Sequence, residues 1–90
     1  MNLKVKITKI VDQEKVKAFA TVSFEGCFLV TGVKVLESKY GLYVGMPRIR
    51  KKSGEFKDIC FPLTKEMRQE MTDAVLAAYT EAKEAGNDEK

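Results

Sequence analysis

The sequence predicts an α+β fold, an antiparallel β-sheet of about five strands (a meander plus a hairpin) followed by a C-terminal α-helix. Three observations predict it. Apolar and polar residues alternate with period two over most of the first sixty-odd positions, as in strands with one buried face. Glycines at Gly26, Gly41 and Gly54 punctuate these runs at short intervals. After Pro62 the apolar spacing changes to three and four, the period of a helix.

The first strand is Leu3 to Lys9, with Leu3, Val5 and Ile7 turned inward and Lys4, Lys6 and Thr8 facing water. Val11 to Lys15 is polar and reads as a turn. A second strand runs from Val16 to Phe24, with Ala18, Ala20, Val22 and Phe24 on one face and Lys17, Phe19, Thr21 and Ser23 on the other. Glu25-Gly26 forms the next turn, because glycine tolerates the positive φ of a tight hairpin. Cys27 to Leu36 is the third strand, and Gly32 inside it marks a bulge or a close backbone approach. Glu37 to Gly41 is a loop and Leu42 to Pro47 a fourth strand, ended by a proline that cannot donate to a ladder. Residues 48–55 read as a hairpin loop, with Phe56 to Phe61 returning as the fifth strand. Thr64 is the expected N-cap of a helix carrying Met67, Met71, Val75, Ala78 and Ala82 on its apolar stripe, with Ala74 and Tyr79 beside them. The helix is expected to reach about Ala85 and stop at Gly86.

Ninety residues suit a single domain over 1–86, with a disordered tail at 87–90. No apolar run approaches the roughly 20 residues of a membrane span, and the opening residues alternate charge with apolar side chains, unlike a secretory signal. The expectation is a cytoplasmic protein with no membrane partner. Histidine is absent, which removes the commonest general base and zinc nitrogen ligand. Cys27 and Cys60 cannot complete a structural zinc site and read as buried thiols. No metal, no cofactor and no enzymatic activity are expected.

Charge is segregated along the chain. Residues 1–63 carry twelve Lys and Arg against six acids, a net +6, whereas residues 64–90 carry four bases and seven acids, a net −3. The first part therefore attracts polyanions and the last does not. Five cations, Arg48, Arg50, Lys51, Lys52 and Lys57, fall within ten residues, relieved by Glu55 and flanked by Asp58. Arginine's planar fork suits phosphate or a guanine edge, lysine acts as a mobile point charge, and a two-stranded ribbon fits the DNA major groove. The competing reading is a solvated loop that serves solubility. Glu55 and Asp58 are expected to hold the arginines in ion pairs rather than to act as acid and base. Phe19, Tyr40 and Tyr43 suit either a base-stacking platform or a core; strand aromatics favour the core. The Met67/Met71 stripe likewise reads as core rather than as a partner groove.

The stretch Gly41-Leu42-Tyr43-Val44-Gly45-Met46-Pro47, then Gly54-Glu55-Phe56-Lys57-Asp58-Ile59 and Pro62, resembles the signature of the bacterial stage V sporulation protein G (SpoVG) family, without a gap in spacing. The similarity continues through Arg68-Gln69-Glu70 and Asp73-Ala74-Val75 and covers nearly the whole chain. It implies a small antiparallel sheet followed by a helix, a dimer formed through paired strands, and a site-preferring DNA-binding regulator, with RNA binding in some members, linked to sporulation, septation and virulence control. The family's DNA contacts are attributed to basic residues of this motif; Arg50 matches the family arginine and Lys57 replaces an arginine with its charge kept. Ile49 stands in place of the family lysine, Arg48, Lys51 and Lys52 in place of Ser, Thr and Pro, and Phe61 in place of a histidine.

The expected function is a dimeric nucleic-acid-binding regulator. It would contact double-stranded DNA, or RNA, through Arg48, Arg50, Lys51, Lys52 and Lys57. The alternative is a protein-interaction module whose basic loop docks an acidic partner.

Overall fold

Alternation and turn chemistry produce six strands and a helix in a computed structural model that describes residues 2–84. The strands are β1 (Leu3–Ile10), β2 (Val16–Phe24), β3 (Phe28–Ser38), β4 (Gly41–Gly45), β5 (Arg48–Arg50) and β6 (Phe56–Asp58), followed by α1 (Lys65–Glu84). β1 to β4 form one antiparallel meander in sequence order, and β5 pairs with β6 in a separate two-stranded sheet. The fold class matches the sequence expectation. The hairpin, however, stands apart from the main sheet as a ribbon, and Arg48 to Arg50 are in a strand rather than a loop.

Three irregularities interrupt these ladders. One leaves Lys17 as an extra residue of β2 between the Val16–Leu36 and Ala18–Val35 pairs, and the other two set which residues face the helix. Between Ile7 and Lys9 the β1–β2 register shifts, so that Ile7 lies opposite Ala20, Lys9 opposite Phe19 and Ile10 opposite Ala18. The bulge returns Ile10 to the covered face and sends Lys9 outward, against simple alternation from Ile7. Thr8 occupies it, and its hydroxyl donates to the Phe19 carbonyl at 3.3 Å. The second of these two falls where Ala20 pairs with Val33 but Val22 with Val30, leaving one extra residue in β3. Gly32 sits there with φ +82°, as the expected bulge requires.

Ala18, Ala20 and Val22 of β2 and Val33 and Val35 of β3 are buried together with Met46 and with Met71, Val75 and Tyr79 of α1. The helix therefore covers one face of the meander, and its buried line repeats every four residues. Thr64 caps it as expected, its hydroxyl accepting from the Met67 amide at 3.0 Å. The predicted helix stop at Gly86 and the tail at 87–90 lie outside the described residues.

Tight turns lengthen the strands beyond the sequence reading. Ser38 pairs with Gly41, so Lys39 and Tyr40 alone connect β3 to β4 and the expected five-residue loop shrinks to two. This pushes Tyr40 to 87% exposure, against a core assignment. Tyr43 lies opposite Leu36, on the face that turns away from the helix, and is 47% exposed; Phe19 lies on that same face and is only partly buried. None of the three aromatics belongs to the core. Cys27 is also exposed, contrary to expectation, because it follows the Glu25-Gly26 turn at the end of the sheet; Cys60 is half-buried, and both are free thiols.

Lys17 joins three segments. Its ammonium lies 3.3 Å from Glu37 Oε1 and 3.6 Å from Asp12 Oδ1, tying the β1–β2 turn to β3. Desolvation acts to lower its pKa, but the hydrogen bond and charge of Glu37, and then Asp12, outweigh it and raise the group above its ordinary value of 10.5.

Candidate nucleic-acid interface

The β5–β6 ribbon starts at Pro47, whose carbonyl accepts from the Ile59 amide at 2.9 Å and closes its base. At the tip the Gly54 amide donates to Lys51 O at 2.9 Å and the Lys51 amide to Glu55 O at 2.7 Å. Gly54 has φ +96°. This is a three-residue hairpin loop ending on a left-handed glycine, which Ser53-Gly54 suits by composition.

The register then distributes the cations. Arg48 lies opposite Asp58, Ile49 opposite Lys57, and Arg50 opposite Phe56. Alternation places Arg48, Arg50, Phe56 and Asp58 on one side of the ribbon and Ile49 with Lys57 on the other. The five cations predicted as one site are thus divided three ways. The arginines share a face, Lys57 points to the opposite face, and Lys51 and Lys52 occupy the exposed tip.

Two contacts hold the arginine face. Arg48 Nε is 3.6 Å from Asp58 Oδ1, the ion pair anticipated for Asp58. Phe56 supplies the second: its ring centroid is 5.6 Å from the Arg48 guanidinium carbon and 6.0 Å from that of Arg50. One ring thereby restrains two guanidinium groups without neutralising either. Sequence reasoning missed Phe56 as part of the site. The signal was present: once the turn closes at Gly54, the antiparallel register places Phe56 across from Arg50. Glu55 contributes its backbone carbonyl at the tip.

Beside the ribbon lies an apolar groove of about 410 Å³, between the β2–β3 end of the sheet and the start of α1. Phe24, Phe28, Met46, Cys60, Phe61 and Met67 are among the residues that line it. Met71 also reaches it but is only 4% exposed, so the methionine stripe is core at Met71 and groove wall at Met67.

The SpoVG family model matches residues 1–81. The chain belongs to the SpoVG family. The match spans the whole meander, the arginine-bearing ribbon and all but the end of α1. Among curated relatives, each named "Putative septation protein SpoVG", one from Archaeoglobus fulgidus is 47% identical over 77 residues, covering 86% of this chain and 91% of the relative. One from Treponema denticola is 41% identical over 75 residues, covering 83% and 81% respectively. One from Symbiobacterium thermophilum is 47% identical over 75 residues; the alignment covers 83% of this chain and only 54% of that longer relative. In this SpoVG-family chain the ribbon carries two arginines on one face and a lysine pair at its tip.

Proposed function

We propose that this SpoVG-family chain is a nucleic-acid-binding regulator that engages double-stranded DNA, with RNA as a further ligand, through the β5–β6 ribbon, and that it serves sporulation, septation or related gene regulation in the cytoplasm. The names of its relatives support the septation link. The observation that carries the binding reading is the shared face of Arg48 and Arg50, both in contact with the Phe56 ring. A two-stranded ribbon is narrow enough for the major groove, where an arginine fork reads guanine, while Lys51, Lys52 and Lys57 meet phosphates. The role is binding without catalysis.

A homodimer formed by strand pairing belongs to the same reading. β4 pairs only with Lys34 to Ser38, so the edge of β3 from Phe28 to Val33 lies beyond the reach of β4, and Phe28 and Leu29 there are exposed. Two ribbons in one dimer would raise affinity through effective concentration. Light scattering coupled to size exclusion reports the mass directly.

The decisive experiment is anisotropy of a mixed-sequence duplex across salt concentrations, comparing the wild type with a variant neutralised at Arg48, Arg50, Lys51 and Lys52. If each of the four meets a phosphate, the slope of log affinity against log salt falls by about 3–4 in magnitude, and by about 2 if the arginines read bases and only the two lysines meet phosphates. No duplex binding at low salt overturns the reading and leaves the acidic-partner alternative.

A further inference from the structure

The helix covers one face of the meander, and the register lays out an ordered pattern on the other. A single transverse row crosses all four strands: Lys9 opposite Phe19, Phe19 opposite Lys34, and Lys34 opposite Gly45. Phe19 thus has a lysine as its cross-strand partner on either side. In the adjoining row, Leu36 pairs with exposed Tyr43. A Cβ added at Gly45 would meet Leu36 Cδ1 at 2.7 Å, so the Leu36 side chain lies across that glycine and borders both rows. Lys4 and Lys6 extend the lysines along β1, opposite Ser23 and Thr21. No residue that the register assigns to this face is acidic. The carboxylates of Asp12 and Glu37 are engaged by Lys17, and among the described residues none of the four face lysines makes an ion pair.

The geometry points to a second binding site on this open sheet face, for single-stranded nucleic acid. The inference goes beyond the ribbon reading and does not rest on it. Four uncompensated ammonium groups call for a polyanion, and Phe19 and Tyr43 offer π-faces to flat partners. A single strand with unstacked bases supplies both chemistries in one ligand. A duplex does not: its base faces are stacked inside, and four strands span about 14 Å, wider than the roughly 12 Å major groove. An acidic peptide would satisfy the lysines and leave the rings unused. The two aromatics are two strands apart, about 10 Å, so they would receive different bases along one chain while Lys34 takes a phosphate between them and Lys9 one beyond Phe19.

The test titrates labelled oligothymidine and a labelled duplex with the wild type and three kinds of variant, each first checked for an unchanged thermal midpoint. Phe19→Leu keeps the apolar volume and removes the π-face; Tyr43→Ala does the same work at an exposed position and stands in if Phe19→Leu proves unstable. Each should weaken oligothymidine binding by about tenfold, with the salt slope unchanged. Lys9→Gln/Lys34→Gln should lower the single-strand salt slope by about 1.4. None of these should alter duplex binding. Arg48→Gln/Arg50→Gln should do the reverse, weakening the duplex and sparing oligothymidine. The proposal is overturned if wild type does not bind oligothymidine at low salt, if the face variants bind it unchanged, or if polyglutamate displaces it as readily from Phe19→Leu as from wild type. Loss of duplex binding alone would instead overturn the ribbon reading.

Discussion

Arg50 stands directly across the ribbon from Phe56, with its guanidinium carbon 6.0 Å from the ring centroid. Arg48 approaches the same ring at 5.6 Å. The phenyl group therefore orders two cations whose mutual repulsion would otherwise spread them, and it does so without consuming their charge.

Phe56→Leu tests that role. Loss of an exposed cation–π contact costs about 0.5–1 kcal/mol, so duplex affinity should fall about two- to fivefold. No cation is removed, and the salt slope should stay where it was. An affinity equal to wild type would show that the ring does not order the arginines for binding.

Lys17→Met probes the junction with Asp12 and Glu37. Because the folded pKa of Lys17 is raised, its stabilisation is fully present below the unfolded lysine value of about 10.4 and is lost as pH climbs through the folded value. Urea midpoints of wild type and variant should therefore keep a constant gap from neutrality to about pH 10 and converge above it. A gap that stays flat through the alkaline range would mean that Lys17 contributes no proton-linked stability.

Met71 is 4% exposed and belongs to the core between helix and sheet. Met71→Ala should destabilise the domain by about 2–5 kcal/mol, read as a drop in the urea midpoint with an unchanged m-value. A small domain buries limited apolar surface, so this is a large share of its stability. An unmoved midpoint would place Met71 outside the core.

Gly32 separates backbone strain from steric conflict. An added Cβ would lie 3.6 Å from Pro47 Cβ, ordinary contact, but φ is +82°. Gly32→Ala should accordingly cost more than about 1 kcal/mol through conformation alone. A neutral substitution would indicate that the bulge relaxes to a negative φ.

The elements themselves were readable because their causes are local. The bounds Val16–Phe24 follow from alternation between two turns, and the Thr64 cap and the Met71–Val75 spacing follow from helix geometry. The SpoVG signature was also legible, since it is a spacing of residue types. Strand bounds near Ser38 and Gly41 were less so, because alternation does not register whether a polar pair extends a ladder or leaves it.

The candidate site was legible as a set of residues and not as an arrangement. A run of cations shows that charge is concentrated, but facing depends on register, and register depends on where the Gly54 turn closes. That closure placed Arg48 and Arg50 together, put Lys57 behind them and brought in Phe56.

The sequence by itself determined the period of each element, its caps and turns, the segregation of charge and the family. The tertiary structure decided which face of the meander α1 covers. A bulge shifts alternation by one residue, and only pairing with another strand reveals it. Through that pairing Ile10 joined the covered face and Lys9 came to lie beside Phe19 on the open one.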